Sequence, residues 1–249
     1  MTPPAPWPYP FWIAHRGAGK RAPENTLAAF RHGAAQGYRM FECDAKLSAD
    51  GVLFLLHDDT LERTTNGQGV AGNLPWGTLA QLDAGSWHSR AYAGEPLPTL
   101  ERIARFCLRN QYQLDIEIKP TPGLDVQTGQ AVAQLAARLW QGAAAPPLLT
   151  SFKPESLAGA QQVAPQLPRG LLLDTLWDGW LERARQLGCV AIVCNHALWD
   201  AATVGQVKAT GLRALSYTVN DEWAAQRLID LGTDGVVTDR VDLFSPASR

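Results

Sequence analysis

The sequence predicts an α/β fold, a (β/α)8 TIM barrel with a small insertion after the second strand. Short apolar runs alternate along the chain with stretches of helical periodicity, and eight such runs fit into 249 residues, the usual size of one such barrel. Several helical patterns stop at or just before a glycine (Gly37, Gly188, Gly211, Gly232), where a left-handed turn can end a helix.

The first strand is Phe11–His15. Ala22-Pro23-Glu24-Asn25-Thr26 follows, with Pro23 closing a loop and Asn25 placed to cap the helix predicted over Asn25–Gln36. Met40–Ala45 is the second strand and Gln113–Ile118 the third, followed by a helix over Val126–Trp140. The remaining strands are Leu148–Phe152, Gly170–Asp174, Val190–Asn195, Ala214–Val219 and Gly235–Thr238. Helices over Trp180–Leu187, Ala201–Ala209 and Glu222–Asp230 connect the later ones. The interval between Ala45 and Gln113 is too long for one crossover. It holds the apolar run Val52–His57 and a loop rich in Gly and Asn, Asn66–Asn73. Residues 46–98 therefore read as an insertion subdomain over the barrel mouth, and residues 1–249 as a single barrel domain. The tail of the insertion, Leu97-Pro98-Thr99-Leu100, begins the next helix with Thr99 as its cap.

Composition narrows the function classes. Hydrophobic residues make up 46% and charged residues 18%, and the formal net charge is −2 with no long run of like charges. No basic patch for nucleic acid or an anionic membrane is expected. The proline-rich start contains no apolar signal core, and no stretch reaches the roughly 18 consecutive apolar residues of a membrane span. Cys43, Cys107, Cys189 and Cys194 form no CxxC or metal-finger spacing and read as reduced and mostly buried. Together these features predict a cytoplasmic protein. They leave its oligomeric state open.

Active sites of such barrels lie at the C-terminal ends of the strands, so polar residues ending apolar strands are the ones to collect. They are His15-Arg16-Gly17, Glu42-Cys43-Asp44, Glu117-Ile118-Lys119-Pro120 and, in the insertion, His57-Asp58. Strand periodicity puts Glu42 and Asp44 on one face with Cys43 opposite. The same rule puts Asp115, Glu117 and Lys119 on one face, with Ile116 and Ile118 on the other. With the apolar set packed against helices, Glu42, Asp44 and Glu117 converge inside the mouth. Three converging carboxylates repel one another, and one hard divalent cation with oxygen ligands, Mg²⁺ or Ca²⁺, is their natural counter-charge.

Hydrolysis of a phosphodiester anion needs charge neutralisation, a base and an acid. His15 and His57 supply imidazoles, the side-chain type suited to moving protons near neutral pH, Arg16 offers a forked donor set for phosphate oxygens, and Lys119 offers a point charge. His32, His88 and His196 are assigned surface or packing roles. Tyr217-Thr218-Val219-Asn220 and Thr238-Asp239-Arg240 either line the pocket or seal the barrel. Most of the tryptophans read as core or lid packing, with Trp76, Trp87 and Trp223 set apart as candidate ligand platforms.

These motifs, with Ala22-Pro23-Glu24-Asn25-Thr26 and the closing Gly235-Val236-Val237-Thr238-Asp239-Arg240, resemble the glycerophosphodiester phosphodiesterases of the cytosolic bacterial type, in order and spacing, from residue 15 to residue 240. The resemblance implies metal-dependent hydrolysis of small glycerophosphodiesters, such as glycerophosphocholine and glycerophosphoethanolamine, to sn-glycerol 3-phosphate and an alcohol. It implies Glu42, Asp44 and Glu117 as metal ligands, His15 as base and His57 as acid, and Arg16 and Lys119 as phosphate contacts. Tyr217, where many relatives carry Trp, and Cys43 bear on substrate preference. Three other activities compete with this reading. A phospholipase leaving a cyclic phosphate calls for an apolar docking rim, which no basic amphipathic helix supplies. A non-catalytic polyol-phosphate binder predicts a missing imidazole or carboxylate, and none is missing. A two-carboxylate glycosidase leaves the histidine pair unexplained.

Overall fold

The computed structural model describes residues 7–244 and 246. Its strands are β1 (Trp12–Ala14), β2 (Met40–Leu47), β3 (Leu53–Leu55), β4 (Gln113–Ile118), β5 (Leu148–Ser151), β6 (Arg169–Leu173), β7 (Ala191–Asn195), β8 (Arg213–Tyr217) and β9 (Gly235–Thr238). Its helices are α1 (Leu27–Ala35), α2 (Trp76–Leu79), α3 (Leu100–Arg109), α4 (Asp125–Leu139), α5 (Pro154–Val163), α6 (Trp180–Gln186), α7 (Ala201–Ala209) and α8 (Glu222–Asp230). All strands but β3 run parallel, in the order β1-β9-β8-β7-β6-β5-β4-β2. The ring closes where Ala14 of β1 meets Phe41 of β2. The protein is a TIM barrel.

Alternation sorts the side chains of each strand. Ile13, Met40, Leu148, Leu172, Ala191, Val193, Leu215 and Val237 fill the barrel interior, and Tyr9 packs beneath them. Cys43, Ile116, Ile118, Leu149, Leu171 and Ile192 point outward into the larger core shared with the helices. Above the interior apolar layer the inward residues of β2 and β4 turn polar.

The segment between β2 and α3 folds back on the barrel. β3 pairs antiparallel with the protruding end of β2, Lys46 opposite Phe54. The segment carries its own small core of Phe54, Leu56, Leu61, Ala71, Leu79, Ala84 and Leu97. One carboxylate, Asp83, fixes its outer loop by accepting hydrogen bonds from Gly85 N, Ser86 N, Ser86 Oγ and Gly94 N.

Thr99 caps α3, its hydroxyl accepting from Arg102 N. Gly37, Gly188, Gly211 and Gly232 all have positive φ, between 61° and 93°. Two expectations need correction. Thr26, not Asn25, caps α1, accepting from Ala29 N. Asn25 is itself left-handed (φ 59°), which aims its amide into the barrel mouth. Helix α5 escapes the periodicity because small residues occupy its packing face. Gly159 of α5 sits against Val126 O, and Gly129 of α4 against Ser156 O, so closely that a Cβ at either would collide. A mid-helix glycine looks like a breaker in sequence, whereas here it permits close helix packing.

A candidate active site at the C-terminal end of the barrel

Strand register builds the site. Glu42 pairs with Asp115 and Asp44 with Glu117 across β2 and β4, so two carboxylate pairs stack inside the barrel, one residue pair above the other. On the other side of β2, Ala14 pairs with both Phe41 and Thr238, which sets His15 level with Glu42 and Asp239. The backbone leaves β1 in a tight turn. Arg16 is left-handed (φ 50°), its carbonyl accepts from Asn25 N at 3.0 Å, and its own N–H donates to Glu42 Oε2 at 2.9 Å. A strained non-glycine φ of this kind costs about 1–3 kcal/mol and persists only where the surroundings enforce it. Here it turns the Arg16 side chain toward Asp44 and Glu24.

Glu42, Asp44 and Glu117 each offer a carboxylate oxygen, and the three oxygens lie within 4.8 Å of one another. Glu42 and Asp44 are buried, and Glu42 Oε1 and Asp44 Oδ1 have no hydrogen-bond partner. Burial pushes Glu42 well above the usual carboxylate range, and the neighbouring Asp44 and Glu117 add to it. Glu117 is raised in the same way, by burial and then by Asp44. Burial acts upward on Asp44 too, but Arg16, His57, Lys119 and the Asn25 amide outweigh it and hold Asp44 low. Buried, mutually repelling oxygens with free lone pairs form an all-oxygen donor set that fits a hard divalent cation. Asn25 braces this set, Nδ2 donating to Asp44 Oδ2 at 2.8 Å and Oδ1 accepting from Asp44 N at 3.1 Å.

The two imidazoles flank the acids. His15 Nδ1 lies 2.7 Å from Asp239 Oδ1, and its Nε2 lies 3.8 Å from Glu42 Oε2. His57 Nδ1 lies 2.7 Å from Asp58 Oδ1, and its Nε2 lies 3.3 Å from Lys119 Nζ. An acceptor carboxylate at Nδ1 fixes the proton there and leaves Nε2 as the working nitrogen. Burial lowers the His57 pKa, Arg16 and Lys119 push the same way, and Asp44 and Asp58 oppose them. Arg16 ion-pairs with Glu24 at 2.8 Å and Asp44 at 3.2 Å, and Lys119 with Glu117 at 3.3 Å.

All seven residues singled out in the sequence (His15, Arg16, Glu42, Asp44, His57, Glu117, Lys119) therefore meet at one end of the barrel. Five of them (His15, Arg16, Glu42, His57 and Glu117) line a cavity of about 180 Å³, together with Thr150, Phe152, Leu172, Tyr217 and Thr218. Tyr217 is held there by its hydroxyl bond to Leu173 O and by edge-on contact with Phe152. His32, His88 and His196 lie outside it, as do Trp76, Trp87 and Trp223. Sequence reasoning did not separate out the supporting residues. Glu24, Asn25, Asp58, Arg63, Asn220 and Asp239 hold the functional side chains without being strand-end residues of the acidic trio. Asp58 is adjacent to a candidate histidine, and the sequence leaves Asn220 and Asp239 between lining the pocket and sealing the barrel; the pairing of β9 with β1 brings Asp239 to His15.

Among the described residues, no helix is long and apolar enough to cross a membrane. The model of the glycerophosphoryl diester phosphodiesterase family matches residues 15–243. A glycerophosphodiester phosphodiesterase of Bacillus subtilis is 32% identical over 255 residues, covering 95% of this chain and 86% of the relative. One from Caldanaerobacter subterraneus is 31% identical over 234 residues, covering 91% and 93%. The solved structure of an Oleispira antarctica phosphodiesterase, in complex with the product sn-glycerol-3-phosphate, is 36% identical. It superposes with a TM-score of 0.88 over 93% of each chain.

Proposed function

The chain belongs to the glycerophosphoryl diester phosphodiesterase family and is an enzyme of that activity. From that premise we propose that it hydrolyses glycerophosphocholine, glycerophosphoethanolamine and similar small diesters to sn-glycerol 3-phosphate and the free alcohol. In this reading Glu42, Asp44 and Glu117 hold one divalent cation, Mg²⁺ or Ca²⁺. The observation that carries it is the trio of mutually close, under-bonded carboxylates set between two imidazoles, each with a carboxylate at Nδ1.

When bound, the cation supplies positive charge that neutralises phosphoryl oxygens and withdraws electron density from phosphorus. The chain's own groups do the rest. The Arg16 guanidinium and Lys119 ammonium draw the diester anion into the cavity and hold its non-bridging oxygens. His15, its Nδ1 proton committed to Asp239, takes a proton from the attacking oxygen at Nε2. His57, its Nδ1–H held by Asp58, takes up a second proton at Nε2 from solvent and, as the imidazolium, gives it to the departing alkoxide. The cavity of about 180 Å³ is of a size for a glycerol phosphate, which supports small diesters as substrates. Residues 46–98 act in this scheme as a subdomain that brings His57 over the mouth. The four free, buried cysteines suit a reducing compartment, so we assign the enzyme to the cytoplasm.

The direct test follows glycerol 3-phosphate release from glycerophosphocholine before and after chelation, with Mg²⁺ and Ca²⁺ added back separately. Chelation is expected to abolish turnover and one cation to restore it. Undiminished turnover in excess EDTA would remove the metal from the scheme. Release of acyl products from a long-chain lysophospholipid would widen the substrate class.

A further inference from the structure

Arg63 belongs to none of the groups that line the cavity, yet its guanidinium makes four hydrogen bonds to two carboxylates. Its Nε donates to Asp58 Oδ2 at 2.6 Å and its Nη2 to Asp58 Oδ1 at 3.0 Å. Its Nη1 donates to Glu24 Oε2 and its Nη2 to Glu24 Oε1, both at 2.8 Å. One guanidinium thus forks onto two carboxylates at once, a geometry that lysine cannot copy. Each of those carboxylates has a second duty. Asp58 accepts from His57 Nδ1, and Glu24 accepts from Arg16 Nη1 at 2.8 Å. Arg16 in turn contacts Asp44.

The result is a continuous chain of contacts, His57–Asp58–Arg63–Glu24–Arg16–Asp44, that joins the insertion to the loop after β1 and to β2. The turn bearing Arg63 is itself anchored. Leu61 lies in the insertion core, and Thr65 is tied to it through its N–H and hydroxyl, both donating to Leu61 O. Gly67 N donates back to Thr65 Oγ1. Asp58, by contrast, has no other side-chain donor besides His57 and Arg63 among the described contacts, so without Arg63 its orientation rests on the imidazole it is meant to orient.

We propose that Arg63 is a positioning residue that locks the Asp58–His57 pair and couples it to the Arg16 phosphate contact through Glu24. The proposal rests on the reading of His57 and Arg16 given above. It makes the insertion part of the catalytic apparatus rather than a cover: the imidazole it carries touches the barrel at Lys119, and Arg63 adds a second tie through Asp58 and Glu24.

The test reads His57 directly. Long-range ¹H–¹⁵N spectra of ¹⁵N-histidine-labelled, metal-free protein, with the signal assigned by its loss in His57→Gln, report which ring nitrogen carries the proton. The parent is expected to show a single Nδ1–H tautomer. Arg63→Ala is expected to show a mixture, and in the diesterase assay to lose about 10- to 100-fold in kcat, the usual cost of removing the partner that orients a working histidine. KM should change by no more than about threefold, because the phosphate contacts keep their charges. Arg63→Lys, which keeps the charge and protects against an alanine variant that unfolds, should recover only a small part of the loss. Added guanidinium ion at millimolar concentration, which reaches the half-exposed site, should rescue Arg63→Ala and not Arg63→Lys. An unchanged His57 spectrum in Arg63→Ala, or an altered spectrum with parental kcat, overturns the proposal. Absence of hydrolysis by the parent itself would instead strike at the functional reading, with the His57 spectrum still deciding the role of Arg63.

Discussion

Asp239, the residue after the last barrel strand, holds the imidazole of His15, the residue after the first, at 2.7 Å across 224 positions of sequence. Its carboxylate is fixed on the far side by Asn220, whose Nδ2 donates to Asp239 Oδ2 at 2.9 Å while its Oδ1 accepts from Asp239 N at 2.9 Å. Gly19 makes room for this arrangement, since a Cβ there would run into the Asp239 backbone. Burial pushes Asp239 up, but His15 and Asn220 more than compensate, so it stays an ionised acceptor.

Asp239→Asn therefore removes the negative acceptor and can present an amide N–H to His15 Nδ1, which favours the wrong tautomer. We expect kcat on glycerophosphocholine to fall by about one to two orders of magnitude with KM little changed. His15→Ala should fall further, by about two to four orders. Steady-state kinetics on the two variants check the order; equal losses would mean that Asp239 does far more than orient.

How much of this was legible in the sequence depended on range. The eight barrel strands could be located from apolar runs, and the facing of Glu42, Asp44 and Glu117 followed from a period of two. That His15 and Asp239 touch follows only from ring closure, which places β9 beside β1. Arg63 gave no signal at all, because its meaning lies in two carboxylates, one 39 positions away, that meet only when the insertion folds over the mouth. Asn25 was misassigned as a cap because Asn and Thr are both good caps. The choice was made by Asp44, a tertiary partner that no local rule contains.

Glu117→Gln removes one charge from the cation set without changing its size. The half-saturating concentration of Mg²⁺ or Ca²⁺ should rise by about 10- to 100-fold, with part of the rate recovered at high metal. Asn25→Ala, which leaves every carboxylate in place but frees Asp44, should give a smaller shift in the same direction. Titration calorimetry with the metal alone measures both; identical binding in all three proteins would remove Glu117 from the ligand set.

Stability has its own dependence on a buried cation. Arg169 is buried and donates only to carbonyls, of Pro165, Leu167, Leu187 and Gly188, which ties the loop after α5 to the C-terminal end of α6. Arg169→Met fills much of the volume but leaves these acceptors unpaired. A loss of about 2–4 kcal/mol follows from the cost of unsatisfied buried groups, or about 5–15 °C in Tm for a chain of this size. Calorimetric unfolding tests it. Metal binding, far from this loop, should not change.

Asp115, level with Glu42 and one residue pair below Asp44 and Glu117, is buried and accepts from Thr150 Oγ1 at 2.8 Å. Burial pushes it from the ordinary 3.8 up to about 7, the Thr150 bond pulling back and Asp44 adding a smaller push upward. Between about pH 4 and pH 7 the native state therefore keeps a proton that the unfolded chain has already released. Stability attributable to Asp115 must then fall as pH rises through that window and level off above it, where both states are ionised. Asp115→Asn keeps the acceptor for Thr150 and abolishes the titration. In EDTA, the variant and the parent should unfold at similar urea concentrations near pH 4, and the variant should be the more resistant at pH 7 and above. A difference between them that stays constant with pH would mean that Asp115 is ionised in the folded barrel throughout, and that the positive charges of Arg16 and Lys119 reach deeper than their contacts show.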